Sequence, residues 1–305
     1  MNLITNLAAF KAIQENFILA VGNFDGLHVG HQKLLSHFLE NARKNSLKTC
    51  VLTFKPHPKI FFDPKLTNFL LMDYETKIQE LKIMGVDYIF ELPFTEEIQS
   101  TSAKEFISEY FEDNKYMQAI HLGHDFALGM GKEDAYKLLK SCCHHLQVYQ
   151  EKRWEIDNNV CSSTLIRECL EAGDVKRASL YLGRNYSLSG EVIRGLGVGN
   201  KELVPTANLS WNHQLITPKS GVYFTKTLVD NEWYDSITNI GHSPTVVDHG
   251  EKRVETFLLN FSQTLYTANI TVEFLNYHRE EMNFQSKQAL LEQIKSDVQA
   301  RKDYA

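Results

Sequence analysis

Residues 17–35 read FILAVGNFDGLHVGHQKLL, and this stretch decides how the first half of the chain is organised. Residues 17–21 are an unbroken apolar run that stops at Gly22, the mark of a short buried strand. The chain turns through Asn23, Phe24, Asp25 and Gly26, and apolar residues return at helical spacing from Gln32. Strand, glycine-bearing turn and helix start put His28-Val29-Gly30-His31 where exposed amides and the positive end of a helix favour a phosphate. Gly30 lets the backbone approach a ligand, and imidazoles three residues apart on a first helical turn face one side. Such rings donate hydrogen bonds to phosphate oxygens that gain charge in the transition state, which requires no covalent nucleophile. A lone histidine is more often a core or capping residue, but HxGH between a strand and a helix is a rare pattern.

Moving outward, residues 47–54 (LKTCVLTF) predict a second strand, stopped by Lys55-Pro56-His57-Pro58. A helix is expected over 73–84, a strand over 86–92, a helix over 102–111 and a strand over 119–122, which leads into Gly123-His124-Asp125-Phe126. Alternating strands and helices imply a parallel sheet, whose ligands lie beyond the carboxyl ends of the strands. Gly22, Pro56 and Gly123 fall at such ends, so their loops converge with His28 and His31. Asp125 either closes an Asx turn, orients a hydroxyl or helps to hold Mg²⁺ through water. Residues 160–167 (VCSSTLIR) place hydroxyls at a helix entrance, where they commonly cap. With Arg167 one turn on, they also offer donors and a fixed cation to pyrophosphate.

The chain has 305 residues, enough for two domains or one large one, and 43% apolar with 23% charged residues is the composition of a soluble globular protein. A net charge of −6 argues against a general binder of nucleic acid or membrane surfaces. The first residues lack a basic segment followed by an apolar one, and no run reaches the length of a membrane span, so a cytoplasmic protein is expected. Five cysteines without framework spacing read as reduced thiols. Cys142-Cys143-His144-His145 invites zinc, but adjacent helical side chains point apart, and the cluster reads better as the end of a helix running from about Glu133.

Residues 183–190 (GRNYSLSG) are polar and glycine-bounded, and a linker is expected there. Beyond it, strands over 221–229, 233–240, 254–261 and 269–275 suggest a small antiparallel barrel, followed by an amphipathic helix over 286–301. Gly195, Gly197 and Gly199 are not a dinucleotide fingerprint, because no helix follows them, although a glycine loop still lets amides approach phosphates. Glu255 stands among apolar strand residues, and the alternation alone does not settle which way it faces.

Residues 22–31 (GNFDGLHVGH) resemble the first motif of the HxGH nucleotidylyltransferases, and in their flanks the bacterial riboflavin kinase/FAD synthetase family. TFKPHP at 53–58 resembles that family's TFxPHP, residues 123–129 its G-x-(Asp/Asn)-F-x-F-G stretch, and CSSTLIR its ISSTxIR. The likeness continues through Gly173-Asp174 and Leu182-Gly183-Arg184. It implies an α/β chain: a Rossmann-like adenylyltransferase domain with a parallel sheet over 1–185, and a riboflavin kinase-like antiparallel β-barrel with a terminal helix over 186–305. In the first domain the resemblance assigns ATP to Gly22, Asn23, Phe24, Gly30, Ser163, Thr164 and Arg167. It assigns the flavin to Phe54, Pro56, Phe62, Asp125 and Phe126.

In the second half Pro205-Thr206-Ala207-Asn208 is similar to the PTAN motif of riboflavin kinases, where Thr and Asn hold Mg²⁺ and phosphate. The same likeness assigns kinase ATP contacts to Gly195, Gly197 and Gly199, the flavin to Arg279, and a second loop motif to Asn239-Ile240-Gly241 with Pro244-Thr245. Glu255 takes the place of the catalytic base. The chain departs from the family's G-R-x-L-G-F-P-T-A-N over 199–208, and Phe257 stands where the family commonly has E-x-H. The resemblance therefore implies riboflavin phosphorylation to FMN and adenylylation to FAD. ATP, riboflavin and FMN would be substrates and Mg²⁺ the cofactor, with no nucleic acid or membrane partner and the oligomeric state open. Adenylylation without phosphorylation, a flavin-binding regulator without turnover, and an HxGH transferase of another acceptor are the competing readings.

Overall fold

The structure is a computed structural model that describes residues 1–129, 131, 133–193, 206–242, 252–263 and 265–304. It divides into two compact units, Met1–Leu66 with Met72–Ser163, and Thr67–Leu71 with Thr164–Ala305.

The first unit is built on six strands: β1 (Asn2–Ile4), β2 (Phe17–Val21), β3 (Lys48–Lys55), β4 (Tyr88–Pro93), β5 (Met117–Leu122) and β6 (Gln147–Gln150). Their order is β1-β4-β3-β2-β5-β6, with every neighbouring pair parallel. Strand β2 reads as a continuous apolar run because both of its faces are covered. Phe17, Leu19 and Val21 enter one core and Ile18 and Ala20 the other. Each of these fully buried side chains except Ala20 is worth roughly 1.5–3 kcal/mol.

Helix α1 (Val29–Asn45) lays Leu34, Leu35, Phe38, Leu39 and Ala42 over the Ile18 face. It begins three residues before the apolar spacing resumes, so His28 is its N-cap and does not lie on its first turn. The region expected as one helix over 102–111 is α-helical at Ala103–Ile107 and π-helical at Ser108–Glu112. The helix expected from Glu133 begins at Ala135, because Asp134 caps it and Glu133–Asp134 pair with Ala127–Leu128. Of the four residues expected to end this helix only Cys142 is helical: Cys143 is its C-cap and is buried in the core, and His144 and His145 lie in the turn that follows. Helix α2 (Tyr74–Ile83) lies between β3 and β4 in sequence.

The second unit contains helices α3 (Ser163–Ala172, whose first residue counts with the first unit) and α4 (Val175–Leu182). It also holds a closed barrel of β7 (Tyr186–Ile193), β8 (Ala207–Trp211), β9 (Gly221–Val229), β10 (Glu232–His242), β11 (Lys252–Leu258) and β12 (Asn269–Arg279). The order is β7-β8-β11-β10-β9-β12, all antiparallel, with β12 closing on β7. The stretch expected as a linker is largely strand β7: Tyr186, Leu188 and Val192 point inward, and the intervening Ser187, Ser189 and Glu191 disguise the alternation. The interior also takes hydroxyls. Thr227, Ser236, Thr225, Thr238 and Thr256 are buried and form a chain of bonds 2.8–2.9 Å long, so each of these five hydroxyls is met. Helix α5 (Lys287–Asp303) follows the barrel.

Candidate active sites

In the first unit, Gly22 follows β2, Pro56 follows β3 and Gly123 follows β5, so the three loops do lie at carboxyl ends of neighbouring strands. His28 and His31 stack with centroids 3.6 Å apart and planes 18° from parallel. The His31 N–H donates to Nδ1 of His28 at 3.4 Å, and Sγ of Cys161 lies 3.7 Å from the same nitrogen. A capping Nδ1 must accept, so the neutral His28 ring carries its proton on Nε2. Desolvation, the neighbouring His28 and the charge of Lys77 hold His31 well below the ordinary imidazole value. Its Nδ1, like Oδ1 of Asn23, is buried with no hydrogen-bond partner among the described residues. Unmet polar atoms of this kind are what a ligand satisfies.

The surrounding residues explain why the motif needs its glycines and its phenylalanine. A Cβ on Gly30 would come within 3.1 Å of the His28 ring, and one on Gly22 within 3.1 Å of the Phe24 ring. Phe24 is buried, adopts φ 51° and meets His31 edge-on at 5.3 Å. Its ring therefore supports His31 from the core side. Ser163 donates to the Asp25 carbonyl of the same loop at 3.1 Å, both residues belonging to the first unit.

A cavity of about 400 Å³ opens beside this loop, lined by Asn23, Phe54, Pro58, Phe62, Phe94, Ile98, Phe106 and Phe126. Its size and aromatic walls suit a planar fused-ring ligand. Of the residues the sequence assigned to a flavin, Phe54, Phe62 and Phe126 line it, while Pro56 gives way to Pro58 in the lining. The Asp125 carboxylate is exposed and lies 3.8 Å from His124. Phe94, Ile98 and Phe106 went unnoticed in the sequence because each sits in an ordinary amphipathic or strand-end context.

In the second unit Arg167 donates through Nε to the Phe69 carbonyl at 2.7 Å and lies over the Phe69 ring at 3.9 Å. Thr164 lies in the first turn of the same helix.

The barrel holds a further cavity, of about 280 Å³, against α5. One transverse row of register partners runs Asn208, Glu255, Asn239, Val222, Arg279 across β8, β11, β10, β9 and β12. Directly opposed residues of antiparallel strands share a face. The burial of Val254, Thr256 and Leu258 puts Glu255 and Phe257 on the other one. Glu255, Phe257, Asn239, Thr206, Arg279, Glu281 and Asp297 line the cavity. The facing of Glu255, open in the sequence, is thus outward from the barrel interior and into this space. Arg279 is held by Asp297 of α5 through Nη2–Oδ2 at 2.7 Å and Nε–Oδ1 at 3.1 Å. Burial works against ionisation of Asp297, yet the bonds from Arg279 and Gln293 and the charges of Arg279 and His278 outweigh it and keep the carboxyl below its ordinary range. Gly195, Gly197, Gly199, Pro205, Pro244 and Thr245 lie outside the described residues.

Residues 10–165 match the FAD synthetase family and residues 182–305 the riboflavin kinase family. A protein of Buchnera aphidicola subsp. Schizaphis graminum is 34% identical over 309 residues, covering 100% of this chain and 99% of that one. One of Bacillus subtilis is 33% identical over 298 residues, covering 95% and 92%. Both carry the name bifunctional riboflavin kinase/FMN adenylyltransferase. A crystal structure described as a macrolide-efflux protein from Streptococcus pneumoniae is similar at a TM-score of 0.90 and 27% identity, covering 100% of each chain. Among the described residues no helix is long and apolar enough to cross a membrane. With one family matched in each half and relatives matched end to end, the chain belongs to the bifunctional riboflavin kinase/FMN adenylyltransferase family.

Proposed function

We propose that this chain phosphorylates riboflavin to FMN and adenylylates FMN to FAD, with residues 186–305 serving the first step and residues 1–185 the second. The observation that carries the reading is Asn23, which belongs both to the loop of the stacked histidines and to the wall of the aromatic cavity. A flavin in that cavity has its phosphate end near the imidazole pair. An FMN phosphate oxygen attacks the α-phosphorus of ATP, and the bond to pyrophosphate breaks. His28 through Nε2–H and His31 as a neutral donor stabilise the charge growing on the α-phosphate oxygens. The parts given to Ser163, Thr164 and Arg167 at the pyrophosphate, to Gly22, Phe24 and Gly30 at ATP, and to Pro56 and Asp125 at the flavin rest on the motifs.

In the barrel, Glu255 takes the proton from the ribityl 5′-hydroxyl as that oxygen attacks the γ-phosphorus of ATP and ADP leaves. Thr206, Asn208 and Glu255 offer hard oxygen donors of the kind Mg²⁺ prefers. Bound there, Mg²⁺ would neutralise phosphate charge. Arg279 and the apolar side of the cavity would receive the flavin. Small soluble substrates and a net charge of −6 support a cytoplasmic enzyme without nucleic-acid or membrane partners.

Phe257 beside Glu255 favours one second reading, an FMN adenylyltransferase whose kinase step is weak. Incubation with ATP and Mg²⁺ plus either riboflavin or FMN, followed by separation of products, tests both. FMN and FAD from riboflavin are expected. FAD from FMN alone selects the second reading, and no product from either substrate overturns both.

A further inference from the structure

Helix α2 presents Tyr74, Lys77, Ile78 and Leu81 at the spacing of one face; Leu81 is fully buried and Lys77 is only 8% exposed. A lysine in an apolar stripe loses the hydration of its ammonium, which persists only where hydrogen bonds and charges replace water. Here Nζ donates to the Asn23 carbonyl at 3.1 Å and to Thr53 Oγ1 at 3.0 Å, and Thr53 donates to the same carbonyl at 3.3 Å. Asn23 begins the loop in which Phe24 and Leu27 both take positive φ, 51° and 40°. Bulky residues hold that conformation only where their surroundings fix it. Two donors grip one carbonyl at the entrance of that loop. Burial lowers the Lys77 ammonium, Asp25 and Glu91 raise it, and Lys55 lowers it, leaving it pushed down to about 8. Its charge in turn contributes to the low value of His31.

We infer that Lys77 is a positioning residue for adenylyl transfer, its ammonium bracing the Asn23 carbonyl and setting a fixed positive charge beside His31. The inference rests on the proposed adenylylation of FMN at His28 and His31. Lys77 bonds Asn23, which lines the aromatic cavity, and acts electrostatically on His31, so one side chain couples flavin placement to the state of the imidazole.

The test uses the full-length chain as wild type, K77M and K77R. It reads FAD formation from FMN and ATP with Mg²⁺, thermal midpoint, and the His31 ring titration by NMR. K77M keeps the shape and loses the charge. It is expected to fold, to lose about 100-fold in kcat with KM for ATP little changed, and to titrate His31 at higher pH than wild type. K77R keeps the charge but cannot set a single Nζ between Asn23 and Thr53, so kcat falls about tenfold while His31 stays low. Wild-type FAD formation declines as pH rises through about 8, where the ammonium is lost, and in K77R this decline moves to higher pH. A folded K77M with near wild-type kcat, or with His31 unmoved, overturns the inference. Should K77M not fold, K77R decides: wild-type kcat and an unshifted alkaline limb overturn it. Wild type that makes no FAD refutes the proposed function instead, and the His31 titration then judges Lys77 by itself.

Discussion

The rings of His28 and His31 lie face to face at 3.6 Å, and the first ring caps the helix that carries the second. Two stacked imidazoles cannot both be cations without strong repulsion, so at least one ring is neutral, in keeping with the lowered value of His31. His31→Ala removes one donor and leaves the cap in place. It is expected to lower FAD formation roughly 100-fold, the scale of losing an oxyanion donor, with little change in thermal midpoint. His28→Ala loses a similar rate factor and in addition about 1 kcal/mol of cap stability. Rates of FAD formation together with thermal unfolding separate the two effects. Unchanged FAD formation by either folded variant rejects its catalytic role.

Glu255 stands between Asn208 and Asn239 in one transverse row, facing the cavity under α5. Glu255→Gln keeps the shape and removes the base. Riboflavin phosphorylation is expected to fall about 100-fold or more, with conversion of FMN to FAD unchanged. Product analysis from each flavin checks this. Equal losses in both reactions would indicate a folding defect, and no loss in either would remove Glu255 from the chemistry.

Strand β2 and the His28–His31 loop were legible because a run buried on both faces, a glycine stop and HxGH are all local signals. Strand β7 was not, since Ser187, Ser189 and Gly190 give it the composition of a linker while Tyr186, Leu188 and Val192 do the burying. The facing of Glu255 depends on which side of the barrel carries α5, a tertiary fact that alternation cannot contain. Lys77 did leave a signal, a cation in the stripe of Tyr74, Ile78 and Leu81, but such a residue usually extends its ammonium to water. The aromatic cavity was half visible: Phe54, Phe62 and Phe126 stand beside recognisable motifs, whereas Phe94 and Phe106 come from elements with no motif.

His121 in β5 is buried between Phe38 and Tyr149, with Nε2 3.0 Å from Nδ2 of Asn41. Burial, with a smaller contribution from His37, pushes it down to about 4. The unfolded chain, with an imidazole near 6.5, takes up its proton first as pH falls. The folded state is therefore favoured in full above 6.5, and this ring removes up to about 1.4 kcal/mol per pH unit from there down to about 4. His31 acts in the same direction. Urea unfolding at pH 7.5, 6 and 5 is expected to show falling stability. His121→Gln should flatten the fall, and an unflattened slope would place the acid sensitivity elsewhere.

Arg279 and Asp297 join the end of β12 to α5 by two parallel bonds, with His278 3.3 Å and Gln293 2.8 Å from the same carboxylate. Asp297 is held below the ordinary carboxylate range, so its contribution is present above the unfolded value near 4 and is lost as pH falls further. Asp297→Asn leaves a partly buried guanidinium without its counter-charge and is expected to cost about 3 kcal/mol. Loosening α5 also opens the cavity that it covers, so KM for riboflavin should rise while adenylylation of supplied FMN continues. Replacing both partners with apolar residues, as in an R279M/D297L chain, removes the stranded charge and should recover most of the stability. Affinity for riboflavin should not return with it, because the cation facing the cavity is gone. Thermal midpoints and riboflavin KM for the three chains distinguish a guanidinium that only ties α5 to the barrel, for which the double variant binds riboflavin normally, from one that also holds the flavin.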